Sequence, residues 1–402
     1  MRRICLLSSL LLTLFTQVSC VMDEAPSCPD LDEGQQNRAY LVLNIGTIGA
    51  ATRAASSDIE TIEHLRIILV DADNGTVEYN RVPPPRPASA GDFSHLEFIQ
   101  TTPGKKHIYL FANEESVENV EVLTDSGGSL TGFLDEVEAG DKNFEGQIAQ
   151  AYFTPNGEKP IFYSSYYEFD ISNEDLTPNN RRVEKDFYLV RAATKFEFRF
   201  ENHRLHPVSI DALSLSSIAD KMYLLAHFNE NEQGTSTLTT NKEGQNWIDW
   251  LNEVCTKTTA NPDLPDNKDV NEQYDWIDYY TMPNKPNHQP QDMKGLIGDA
   301  STWTIPVYEQ GGTYSLPTVY FPESKYIPGN NGAQQYQFTI TLSDQDNPQS
   351  KKTETLTLDN LVTLMRNTHV IVTLYLYGNS EITLNVMLRP WDTETSGDIE
   401  FH

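Results

Sequence analysis

The sequence predicts an all-β chain, arranged as two β-sandwich domains in tandem with a short helix and long loops in the second. Three observations lead there. Apolar residues recur at every second position in several short segments, as in "KFEFRF", where Phe196, Phe198 and Phe200 oppose Lys195, Glu197 and Arg199. Turn formers separate those segments, with 22 Gly and 22 Pro among 402 residues. The 19 Tyr and 17 Phe suit pleated, half-buried surfaces better than long helices.

Ahead of the first domain, "MRRICLLSSLLLTLFTQVSC" sets two arginines before a nearly unbroken apolar run, Ile4 to Phe15, and closes on Val18-Ser19-Cys20. Residues 1–20 read as an export signal, too short to span a membrane as a mature helix. Cys20 occupies the place of a lipoprotein acceptor, although Gln17 stands where such signals usually carry Leu. The alternative is ordinary signal cleavage that leaves Cys20 a plain thiol. A multiply acylated cysteine anchors firmly, whereas one acyl group holds weakly.

The acidic, turn-rich "VMDEAPSCPDLDEGQQNR" reads as a tether. A first strand follows, with Leu41, Leu43 and Ile45 on one face and Tyr40, Val42 and Asn44 on the other. It runs into "GTIGAATRAASSD", where two glycines and four alanines surround Arg53. An exposed loop of small residues is a feasible proteolytic site, here the Arg53–Ala54 bond. Residues 21–53 are therefore read as a tether plus first strand, and 54–190 as the N-terminal sandwich.

Within that sandwich, "LRIILV" sets Leu65, Ile67 and Leu69 against Arg66, Ile68 and Val70, and Asn74-Gly75 is a hairpin signal. "DADNG" echoes the start of a calcium loop, but the glycine and glutamate that an EF-hand needs would fall on Thr76 and Val82. "RVPPPRPASAGD" is a proline-rich surface loop and "KKHIYLFAN" a further strand. From Glu114 to Lys185 the apolar segments are interrupted by Gly, Pro and Asp, and no clear period emerges.

"DFYLVRAATKFEFRF" closes the first domain, crosses at Arg191 to Thr194, and opens a second domain, 191–402. In "NKEGQNWIDWLNEVC", Trp247, Trp250, Leu251 and Val254 fall at helical spacing, which suits a short helix seated on a core. Long Pro, Asn and Asp-rich loops follow, around Trp276, Tyr279 and Tyr280. Alternation returns in "YQFTITLSD", "THVIVTLYLYG" and "ITLNVMLRPW", the last carrying Ile382, Leu384, Val386 and Leu388 before Trp391, which marks the turn out of the sandwich. Such repeated alternation indicates antiparallel sheets packed face to face.

The 29 basic and 58 acidic residues give a formal net charge of −29, which disfavours nucleic acid or an anionic membrane as partner. Four cysteines, of which only Cys255 lies beyond Arg53, provide no disulfide framework. No G-x-S-x-G elbow, H-E-x-x-H helix, P-loop or Rossmann glycine pattern occurs. His203 and His206 lack a matched cysteine or carboxylate pair for zinc. The reading is a non-enzymatic protein with no cofactor and no metal. Trp276, Tyr279 and Tyr280 could stack on sugars, so the alternative is a surface lipoprotein that binds glycans and does not polymerise.

Taken in order, Cys20 with its acidic tail, "AYLVLNI", Arg53 in "AATRAASSD", "HIYLFAN", "LVRAATKFEFRF", "RNTHVIVTLYLYG" and "ITLNVMLRPW" span nearly the whole chain. In this order the chain resembles the fimbrillin family of Bacteroidetes. The resemblance implies two transthyretin-like sandwiches in series and a precursor lipid-anchored at the outer membrane through Cys20. It also implies an arginine-specific protease that cuts after Arg53 and a mature form in an extracellular fimbrium. There it would join other copies of itself or related subunits and serve adhesion to a host protein or glycan. The first strand would cover a groove through Leu41, Leu43 and Ile45. The candidate donor strand is 381–402, through Leu384, Val386 and Leu388 or through Ile399 and Phe401 in the weakly apolar tail. Stalk, tip and anchor roles all stay open.

Overall fold

The computed structural model describes residues 38–47, 58–229, 236–238, 291–292, 303–325 and 336–391, less short stretches at 86, 89–92, 122–127, 156–158, 175, 178–179, 216–217, 220, 359–360, 362 and 379–380. All of these except Arg38 belong to the compact unit Ala39–His402. The chain is mostly β-sheet, divided among several sheets. Its longer strands in the first half are β1 (Ala39–Thr47), β2 (Leu65–Asp71), β3 (Thr76–Arg81), β4 (Ser94–Thr101), β5 (Gly104–Ala112), β6 (Tyr163–Ile171) and β7 (Arg182–Leu189). The second half adds β8 (Thr194–Asn202), β9 (Val208–Leu215), β10 (Gln337–Asp344), β11 (Asn347–Thr357), β12 (Thr368–Leu376) and β13 (Ile382–Pro390).

Two sheets share the first core. One has the order β4-β1-β7 and the other β3-β2-β5-β6. Leu41, Leu43 and Ile45 from the first sheet pack in one cluster with Leu65, Ile67, Leu69, Ile108 and Leu110 from the second. The far face of the four-stranded sheet is covered too. Ile68, Val70, Tyr109 and Phe111 meet Leu130 and Leu134 of α1 (Leu130–Asp135), Phe144 and Ile148 of α2 (Phe144–Ile148), and Leu224 and Leu225. Burial on both faces explains why Ile67 to Val70 of β2 form an unbroken apolar run rather than an alternating one. Ser129 caps α1 by accepting from the Gly132 N–H at 3.1 Å. At the β2–β3 turn, Gly75 takes φ 68°, which the Asn-Gly hairpin requires.

The second core lies between β8-β12-β13 and β9-β10-β11. Strict alternation makes β8 buried at every second residue, with Phe196, Phe198 and Phe200 fully inside. Short strands Tyr314–Ser315 and Val319–Phe321 pair with the other side of β8.

One expectation changes. The sheets are not purely antiparallel, because β1 runs parallel to β7 and β12 runs parallel to β8. Period-two alternation reports which face is buried and is blind to strand direction. The helix expected around Trp247 and Trp250 lies outside the described residues, and helices α1 and α2 occur instead in the first half, where the sequence had no clear period.

Candidate functional site

β1 is a central strand. On one side it pairs antiparallel with β4, from Ala39↔Thr101 to Gly46↔Ser94, and on the other it pairs parallel with β7, from Tyr40↔Arg182 to Thr47↔Leu189. Its inward residues Ala39, Leu41 and Leu43 are 0% exposed and Ile45 is 1% exposed. Full burial of the three larger side chains contributes on the order of 5–9 kcal/mol of gross transfer free energy. Taking β1 away would therefore uncover an apolar trough and leave two rows of backbone groups without partners. The expectation had the strand cover the apolar groove of its own domain and satisfy the adjacent backbone edges, and in the structure its inward face is buried and a strand pairs with it on either side. The loop that follows, with Arg53 and Ala54, lies outside the described residues, as does Cys20.

The chain resumes at a turn, Asp58–Glu60, whose last residue anchors a buried polar cluster. The Glu60 carboxylate accepts from Lys195 Nζ at 3.0 Å, from the Tyr320 hydroxyl at 3.0 Å and from Trp391 Nε1 at 3.3 Å. Its carbonyl accepts from the Tyr163 hydroxyl at 2.9 Å. Burial by itself raises the Glu60 carboxyl, but the Lys195 and Arg191 cations and the hydrogen bonds from Lys195 and Tyr320 bring it below the ordinary carboxylate value.

Trp391 is a turn residue directly after β13, and its side chain leaves the second core. It is 1% exposed and packs in the same cluster as β1, stacked on Tyr320 at 5.6 Å with the Arg191 guanidinium 4.8 Å from its ring. Its backbone N–H donates to Asn367 O at 3.0 Å, while Arg191 Nη1 donates to Asn367 Oδ1 at 3.1 Å. Nearby, Arg366 and Glu323 form a fully buried two-pronged pair, at 2.8 Å and 3.0 Å, and the same guanidinium donates to Ser164 Oγ and Tyr223 O. Sequence reasoning missed this cluster. Its one visible signal is Arg191 itself, a cation set between Val190 and two alanines, as a buried and paired arginine would be.

β13 is an edge strand of its own sheet, paired antiparallel with β12 from Thr368↔Pro390 to Leu376↔Ile382. Leu388 is buried and Leu384 and Val386 are half-buried, while Thr383, Asn385 and Met387 face solvent. Of the other candidate donor positions, Ile399 and Phe401 lie outside the described residues, and so do Trp276, Tyr279 and Tyr280. His203 sits 3.3 Å from Glu201 and His206 3.8 Å from Asp346. Among the described residues no group of three His, Cys, Asp or Glu side chains could hold a metal ion.

The coordinates thus define a mostly β-sheet protein whose first strand is an interior one. No family model matches the sequence, and none of the curated proteins does. Solved structures do match. The tip fimbrial protein Mfa3 from Porphyromonas gingivalis, with a C-terminal truncation, superimposes at 11% identity and a TM-score of 0.48, covering 88% of this chain and 100% of its own. A fimbrilin from Porphyromonas gingivalis gives 11% identity and a TM-score of 0.46, covering 88% and 98%. The fimbrial anchor protein Mfa2 from the same organism gives 9% identity and a TM-score of 0.34, covering 88% and 98%. Values this low assign no activity to the chain.

Proposed function

We propose that the protein is a structural subunit of a cell-surface fimbria, in which β1 is a temporary filler of its own fold. On this reading a precursor is held at the outer membrane by lipid on Cys20. An arginine-specific protease cuts between Arg53 and Ala54, and the segment that contains β1 departs. The vacated trough between β4 and β7 then accepts an extended strand from another subunit, which restores both the apolar burial and the backbone pairing. Because that subunit has its own trough, the contact is heterologous and propagates. Adhesion is the biological output.

One observation carries this reading. β1 is paired on both sides and its inward face is wholly buried, and the sequence runs from its C-terminal end into the segment that holds Arg53. Treating the lipid-free precursor with an arginine-specific protease is the test. A single clip at Arg53 followed by a ladder of oligomers supports the reading. A clipped chain that stays monomeric, or an Arg53 bond that resists cleavage, defeats it.

A further inference from the structure

On the outer face of the β4-β1-β7 sheet, Asn44 is the exposed residue of β1 and is flanked by different side chains on its two sides. On the β4 side, Leu96 is 52% exposed and Phe98 59% exposed, while on the β7 side Tyr188, opposite Gly46, is 36% exposed. On the β7 side stand Glu184 and Asp186, both exposed. β1 runs between them, and register sets the rows. Val42 lies opposite Phe98 on one side and Glu184 on the other, while Asn44 lies opposite Leu96 and Asp186. Glu184 already has a cation, Arg182 Nη2, at 2.7 Å. Asp186 is met by the neutral Asn44 amide, whose Nδ2 donates to Oδ1 at 2.8 Å.

A position flanked by an apolar row and a carboxylate suits a side chain with an apolar stem and a cationic head. A lysine at the place of Asn44 would lay its methylenes along Leu96 and Phe98 and bring its ammonium to Asp186. Asparagine meets only the second need, and without charge. Resting on the fimbrial reading above, we propose that the trough selects its incoming strand by two criteria together. That strand carries apolar residues at the places of Leu41, Leu43 and Ile45, and a basic residue at the outward place of Asn44, opposite Asp186. The occupant is thus a strand of another subunit that is cationic on its solvent side, and the resident strand is the weaker occupant by design of this one position.

The test uses the full chain with Asn44→Lys or Asn44→Asp, clipped by an arginine-specific protease, which leaves a lysine at 44 intact. Size-exclusion chromatography then follows departure of the severed N-terminal segment. The lysine variant should release the segment about threefold more slowly than the parent and the aspartate variant about threefold faster, the range of an exposed cross-strand ion pair and of a like-charge clash. The gap should narrow at high salt and close in an Asp186→Asn background. Equal release of the two variants, or a gap that persists without Asp186, overturns the proposal. If the clip or the release fails outright, the fimbrial reading falls by itself. The uncut variants still decide the present question, since their urea midpoints should rank lysine above aspartate only while Asp186 is present.

Discussion

β1 and β13 stand near opposite ends of the described chain and read alike in sequence, each with apolar residues at alternate positions. Their settings differ. β1 has a strand on either side and an inward face with no exposure, whereas β13 has one neighbour and an inward face that is only half-buried at Leu384 and Val386. Edge position alone makes β13 look like the easier strand to detach. What holds it is the residue after it. Trp391 is inserted into the core that contains β1, and is gripped there by Glu60, Tyr320 and Arg191. Retention of a strand therefore depends on where its ends are tied as well as on its pairing, and β1 is held by pairing on both sides.

Removing the tie should change this contrast most. Trp391→Ala is expected to cost about 3–5 kcal/mol in urea denaturation. Amide exchange in the same variant should rise along β13 more than along β1. If protection falls equally in both strands, β13 is held by its pairing with β12 and the contrast collapses.

The next largest effect compares equivalent truncations. Leu43→Ala should cost about 2–5 kcal/mol, as expected for a fully enclosed leucine. Leu384→Ala, on a half-covered edge, should cost about 1 kcal/mol. Equal losses would mean that β13 is as deeply seated as β1.

The smallest effect sharpens the electrostatic side. Glu197 on β8 lies 2.8 Å from Arg199 and 3.3 Å from His369 on β12. Burial raises its carboxyl, but hydrogen bonds from His369 and Arg199 and their charge bring it down to about 2 from an ordinary 4.5. A carboxyl depressed on folding stabilises the native state above its unfolded value, and that contribution is lost as pH falls through the folded one. Glu197→Gln should therefore be less stable than the parent at neutral pH, and the deficit should shrink between about pH 4.5 and pH 2. A deficit that does not change with pH would assign it to packing instead.

Much of the sheet structure was legible in the sequence. Strands β1, β8 and β13 follow from period-two alternation, because each covers one face more than the other, whereas β12 alternates in sequence but is buried on both faces from Thr368 to Val372. The parallel pairings were not legible. They join residues far apart in the chain, such as Leu41 with Val183 and Val370 with Phe196, and no local pattern encodes direction. Helices α1 and α2 were missed because each has six residues or fewer, too short for a 3.6-residue period to register. The Glu60, Arg191, Asn367 and Trp391 cluster was missed for a different reason. Each member is unremarked in its own segment, and only the folded chain makes them neighbours.

The unlike pairing on the two sides of β1 has a directional consequence. On the fimbrial proposal, a replacement that reproduces the present pairing would run antiparallel to β4 and parallel to β7, as β1 does. Such a guest would enter N-terminus to C-terminus in the sense in which β1 now runs. A filament assembled through it would be a vector whose two tips are chemically distinct, one showing an empty slot and the other an unused guest.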